Sequence, residues 1–490
     1  MHRSPEQSND AARCSSVAKD GRRGLARRAG RSAWRGGWAL ADHVLFAGAN
    51  FLVQLGLARH WLSEHEFGAF AAAYVSFLVL GVFQTALLTE PVAVFGAERY
   101  RDQLSNYLGK TVGIHLMISL AGGLLLAAIG LSQVFFGERT LGIALCALSV
   151  AQVFQLLPWT LRVACYLDSA PVHAGLSGLL YLVLVVGMLL GFDAMGWMSI
   201  PAAVAAMALS SLAVCVYLLF FLRVSLRAVF ERVGYGEVLR DHWRYGKWAA
   251  PTGMMHWVPE HLPILVTPLV LGWMAGGSPD FESGGTLKAM LHLSVPFILF
   301  TWALSTLLVP MLVRRRGTPA FGRLSWQFVG LTLFVALAAW PVIGFSHERI
   351  VSLIYAGRFA EHSWLLWLVG LIPVIVAIDS VLHAQLRAVE RPDRLFYGSL
   401  ASSVVLVFVG LPMLAIWGLP GILTAVLLGY GVQACVLWII GGKIIRVACR
   451  PDLSLASSGA EGTLQGAPDD VEDVTRTEKH GSTERVGGHD

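Results

Sequence analysis

Twelve stretches of mostly apolar residues follow one another along the chain, at 40–58, 68–90, 108–136, 140–161, 174–195, 199–222, 249–275, 286–312, 325–345, 364–386, 396–416 and 420–442. Each is close to the length needed to cross hydrocarbon, because a bilayer core about 30 Å thick takes about 20 residues of helix. No fold in water hides so many. The composition agrees: 55% of residues are hydrophobic, only 14% are charged, and mean hydropathy is +0.61, whereas a soluble domain carries roughly 25% charge. The excess apolar surface calls for lipid as a second solvent. Stretches of this length select α-helices over barrel strands, so the expected fold class is an all-α membrane protein of about 12 transmembrane helices.

Charge placement orients the helices. If residues 1–38 are cytoplasmic and every stretch crosses, the cytoplasmic links alone hold 17 Lys and Arg against 5 on the other side, the tails set aside. That is the positive-inside asymmetry, and it places both termini in the cytoplasm of a cell with this chain in its inner membrane. Residues 1–38 are Arg-rich and lack an apolar core. The stretch that follows is interrupted by Asp42 and His43 and shows no small-residue cleavage site, so it reads as a first spanning helix and not as a signal peptide. Residues 447–490 are polar and rich in Gly and Ser; they and the N-terminal tail are expected to be disordered. Six scattered Cys form no metal or disulfide pattern.

The longest cytoplasmic link, 223–247, alternates Phe230, Val233, Val238 and Leu239 with Arg227, Arg232, Arg240 and Arg244. This spacing predicts an amphipathic helix on the membrane surface. It separates two halves, 39–222 and 248–446, that look like a repeat. Gly68 and Gly284-Gly285 open equivalent spans, Leu161-Arg162 and Leu386-Arg387 end equivalent spans, and Gly196-Trp197 and Trp417-Gly418 precede equivalent spans, at offsets of about 217–225 residues. Six helices per half make the repeat parallel, around an axis along the membrane normal.

Ionisable and polar groups at membrane depth are the functional candidates, since they are costly unless they face a partner or a cavity. Glu260 stands out, because Pro251, Pro259, Pro263 and Pro268 crowd its span and free backbone carbonyls, predicting a broken helix that bears a carboxylate. Asp379 and His383 share a face of the tenth span, as Asn50 and Gln54 share one of the first. Asp42, Gln155 and Arg162 complete the set. Each also has a structural reading, as an interfacial anchor or a tie between helices. No catalytic residue, metal site or cofactor motif is found, and no link is long enough for a catalytic or nucleotide-binding domain. An enzyme is therefore not expected. The Arg-rich ends fit anionic lipid headgroups, not nucleic acid.

Several motifs resemble those of polysaccharide exporters and lipid-linked oligosaccharide flippases of the multidrug/oligosaccharidyl-lipid/polysaccharide (MOP) exporter superfamily. NFLVQLGLARHWLSEHEFGAF, from Asn50 to Phe70, is similar to their first hairpin, with Ala58-Arg59, Leu62 and Glu66-Phe67-Gly68-Ala69-Phe70 matching, and Trp61 as an extra residue. Thr89-Glu90-Pro91, PWTLRVACY (158–166), YAGRF (355–359) and LRAVERP (386–392) look similar too. The resemblance implies two six-helix bundles around a central cavity that opens alternately to either side. It implies a flippase carrying a lipid-linked oligosaccharide or polysaccharide precursor to the outer leaflet. In that reading Arg162 and Arg387, with Asn50, Gln54 and Gln155, contact the headgroup, and Glu260, Asp42, Asp379 or His383 couples an H+ or Na+ gradient. The alternatives are a cation-coupled small-molecule or drug exporter of the same superfamily, and a membrane glycan polymerase or ligase.

Overall fold

The computed structural model describes residues 34, 37–38, 40–168, 170–231, 234–389, 391 and 393–448, the side chains of 302, 303, 306, 307 and 443–448 excepted. The tails expected to be disordered lie otherwise outside the described residues. The chain is an all-α membrane protein. Six helices form its first half: α1 (Leu40–Trp61), α2 (Glu64–Phe95), α3 (Arg101–Phe136), α4 (Arg139–Leu167), α5 (Pro171–Ala194) and α6 (Ile200–Phe221). The second half holds α7 (Tyr235–Met274), α8 (Phe281–His292), α9 (Val295–Val313), α10 (Pro319–Phe345), α11 (His347–Tyr355), α12 (Ala360–Ala388), α13 (Asp393–Trp417) and α14 (Leu419–Ala448). Ten of these are apolar and long enough to span; α7 and the pair α8–α9 complete twelve crossings. Phe136, Phe220, Trp273 and Phe345 point outward and are largely exposed, as side chains that meet lipid are.

The helices start and stop where the sequence supplies caps. Ser63 opens α2 with a capping box: its Oγ accepts from the Glu66 N–H at 3.2 Å, while Glu66 Oε2 accepts from the Ser63 N–H at 2.9 Å. Asp280 caps α8, accepting from the Ser283 N–H at 3.1 Å.

Three elements differ from the sequence expectation. Helix α7 begins at Tyr235, inside the segment expected to lie as a separate surface helix. Only the single turn Leu226–Val229 precedes it after α6. Its polar first turns pin to the turn between α2 and α3, through Arg99 to Glu237 and Asp241 and through Tyr100 to Asp241, so its Arg and apolar residues continue the crossing helix. The span expected at 286–312 is split at Leu293–Ser294, where Pro296 removes a helical N–H from the start of α9. And α7 is continuous, not broken, across its four prolines. The carbonyl that Pro259 leaves without a donor, Met255 O, is taken by Ser403 Oγ of α13 at 2.8 Å. A neighbouring helix thus replaces the missing hydrogen bond.

The halves meet along α2, which packs on α8 near one end and on α7 along its length. On the face that carries the termini, α9, α10 and α12 pack on one another.

Candidate functional site

The face opposite the termini is closed by the motifs themselves. The extra residue Trp61 is absorbed by a π-helical turn, Leu57–Trp61, at the end of α1. One inserted residue is what such a turn accommodates. It aims Arg59 at the second half, where Nη1 donates to Leu353 O at 2.5 Å and Ile354 O at 3.2 Å on α11. Arg358 reaches back and donates to Ala58 O and Leu62 O. The loop that presents it holds Ala356 at φ 55°, Gly357 at 84° and Phe359 at 63°, left-handed values that two of these residues adopt only at a cost. Tyr355 anchors it through Ala289 O at 2.8 Å, and Phe359 meets the buried Phe67 ring. Between them α2 crosses α8 at Gly68 and Gly285; a Cβ on Gly68 would run into Phe281 O, and one on Gly285 would lie 2.6 Å from Glu64 O.

In the first half, Asp42 and Arg162 come together. Arg162 Nε donates to Asp42 Oδ1 at 2.7 Å, Tyr166 Oη to Oδ2 at 2.6 Å, and the guanidinium lies 4.2 Å from the centre of the Phe46 ring. Asp42 is 1% exposed and Arg162 9%. Each buried charge answers the other, so the group works as a clasp between α1 and α4. Beside it Asn50 bonds Phe46 O and accepts from Tyr181 Oη at 3.2 Å. Gln54 Oε1 and Gln155 Nε2 are buried without partners. A second network, unflagged in the sequence, joins the fully buried His115 to Gln84 at 3.0 Å and to Val153 O at 2.8 Å.

In the second half, three predicted residues converge with others. His383 Nε2 lies 3.4 Å from Asp379 Oδ2, which also accepts from Gln433 Nε2 of α14 at 3.0 Å. On α7, His256 Nε2 is 3.3 Å and His261 Nε2 3.8 Å from the Glu260 carboxylate, and the His256 and His383 rings are 6.4 Å apart. The Glu260 and His261 side chains are part-exposed, at 25% and 26%. Asp379 Oδ1 and Gln433 Oε1 are buried and lack partners. His256 was legible as the residue four before Glu260, whereas Gln433 enters only through the fold. Arg387 is exposed near the end of α12, within electrostatic range of Glu90 on α2.

No family model matches the chain, and no curated protein matches it. Solved structures do. An inward-facing multidrug resistance MATE family transporter of the MOP superfamily is similar at a TM-score of 0.63 and 15% identity, covering 84% of this chain and 94% of that one. A MOP superfamily transporter from Pyrococcus furiosus gives 0.60 and 13%, covering 85% and 95%. The eukaryotic MATE transporter AtDTX14 gives 0.57 and 15%, covering 87% and 99%. At these identities the likeness establishes the fold, two six-helix halves around a central cavity. The polysaccharide-exporter branch rests on the residue motifs alone.

Proposed function

We propose that the protein is a cation-coupled exporter of small organic solutes that works by alternating access in the inner membrane, its termini in the cytoplasm. The observation that carries the proposal is the Asp379 cluster, a buried carboxylate with one oxygen unpartnered near a part-exposed acid, Glu260. A proton or sodium ion supplies the positive partner that Oδ1 lacks. His383, His256 and Gln433 hold the acids in place, so arrival of the cation changes how α7, α12 and α14 pack. Those helices carry the second half, and their repacking is what couples the cluster to the seal at the far face. With that face closed, the central cavity receives solute from the side of the termini.

The multidrug transporters among the similar structures support the small-solute class. Two of the motifs behind the glycan-flippase reading, 50–70 and 355–359, build the far-face seal, and its headgroup candidate Arg162 is taken by Asp42. It therefore stands second.

The test is purified protein in liposomes, with imposed H+ or Na+ gradients and a panel of cationic and anionic fluorescent solutes. Gradient-driven flux is expected, abolished by Asp379→Asn and impaired by Glu260→Gln without loss of folded protein. Flux that ignores both the gradient and Asp379→Asn refutes the coupling. Translocation of a lipid-linked oligosaccharide in a parallel arm, with none of the small solutes moved, replaces this reading with the flippase.

A further inference from the structure

The second half also holds a positive charge that no carboxylate answers. Lys288, placed by its sequence in an external link, lies inside α8, part-buried. Among the described residues no ion pair reaches it, and the side chains close enough to sense its charge are His261 of α7 and His292, one turn on along α8. His292 is 4% exposed. Its Nε2 bonds Phe51 O of α1 at 3.1 Å, its ring stacks on Phe51, and its Nδ1 is buried without a partner.

The buried, unpartnered Gln54 belongs to the same place. It shares a face of α1 with Phe51 and Ala58, three residues before it and four after, and both touch the second half. Phe51 meets His292 and Ala58 meets Arg358 nearer the far face, so the register sets Gln54 level with Lys288. The group thus occupies the seam where α1, α7 and α8 converge, one turn below the Gly68–Gly285 crossing.

An ammonium at this depth is expensive unless it meets water or an anion. The Glu260 carboxylate lies 3.8 Å from His261, yet among the described residues no carboxylate pairs with Lys288. Unpartnered buried polar atoms mark a place built for something absent. We infer that Lys288 is the binding point for an anionic group, a carboxylate or phosphate, carried by the solute the protein moves. The inference rests on the transport reading and gives it a substrate class, amphipathic organic anions.

Full-length protein in nanodiscs of neutral phosphatidylcholine is titrated with dansylglycine, neutral dansylamide and cationic dansylcadaverine, read by fluorescence anisotropy. Dansylglycine is expected to bind at least about tenfold more tightly than dansylamide, the worth of one charge-assisted hydrogen bond. Lys288→Gln removes the preference and Lys288→Arg keeps it within about threefold of the native ratio. Should Lys288→Gln fail to fold, Gln54→Glu serves instead, since a carboxylate set beside Lys288 excludes dansylglycine. Equal binding of the three probes, or a preference that survives Lys288→Gln or Gln54→Glu, overturns the inference. A second arm adds phosphatidylglycerol to the nanodiscs; competition with dansylglycine there overturns the solute as the source of the anion and assigns the seat to a lipid headgroup. Binding is read without a gradient, so intact anion preference with no liposome flux counts against the transport reading alone.

Discussion

Replacing Arg358 with Ala removes two hydrogen bonds from the 356–359 loop to the end of α1, at the carbonyls of Ala58 and Leu62. A bond from a charged donor contributes about 1.5–3 kcal/mol. The site is only part-buried, and its carbonyls regain water once the halves separate, so the lower end applies to the pair, about 2 kcal/mol. That corresponds to roughly a 30-fold shift in the ratio of closed to open far face. The left-handed Ala356 and Phe359 add to the shift, since the loop is released from a strained shape when its anchor is lost. The assay uses Ala69→Cys, a fully buried position in the seal beside Phe281, in a chain freed of native cysteines. A membrane-impermeant maleimide is applied from the far face of proteoliposomes. Labelling is expected to accelerate at least about tenfold in Arg358→Ala, with Arg358→Lys between it and the native protein. Arg59→Ala should act in the same direction through Leu353 and Ile354. A labelling rate unchanged by Arg358→Ala and Arg59→Ala together would show that the arginines do not hold this face shut.

Arg162→Ala strands the Asp42 carboxylate and is expected to cost about 3–5 kcal/mol, seen as a large fall in thermal stability; Asp42→Ala with Arg162→Ala should recover part of it, and a double variant worse than both singles would contradict the clasp. Gly68→Ala drives a Cβ into Phe281 O and should lower stability by about 1–3 kcal/mol while exposing Ala69→Cys to the same maleimide. Ser403→Ala leaves Met255 O without a donor and should cost about 1–2 kcal/mol in unfolding measurements, because Pro259 cannot supply the bond.

The crossings were legible because bilayer thickness sets one length for all of them, and Gly68 and Gly285 were legible as helix-opening glycines that the fold places at one helix crossing. Irregular pieces were not. A hydropathy run averages over the break at Leu293–Ser294, and it passes over α11, whose nine residues are too few to span. The start of α7 was hidden because the acids of its first turns, Glu237 and Asp241, bind Arg99 and Tyr100 of the turn before α3 instead of ending the helix. For the candidate site, spacing along one helix was informative: Asp379 with His383, and Glu260 with His256, are both four apart. Partners separated by more than a hundred residues, such as Asp42 and Arg162, carry no local signal. Trp61 was visible as an extra residue, but only the fold shows that it becomes a π-helical turn.

The two halves, expected from the sequence to share one pattern, differ in how their charges are answered. Arg162 and Arg387 hold matching positions in the repeat. Arg162 is buried and paired with Asp42, whose other oxygen accepts from Tyr166, and the pair fixes α1 to α4. Arg387 is exposed, and the acid on its own helix, Asp379, lies two turns deeper with an oxygen unpartnered. A carboxylate already paired, as Asp42 is, has nothing for an arriving cation to alter. A bundle with an unsatisfied acid changes its internal balance each time that acid is filled. On the coupling proposed above, the helices that respond are those of the Asp379 cluster, α7, α12 and α14, and that coupling requires that Asp379→Asn, not Arg162→Lys, be the substitution that locks the far face in one state.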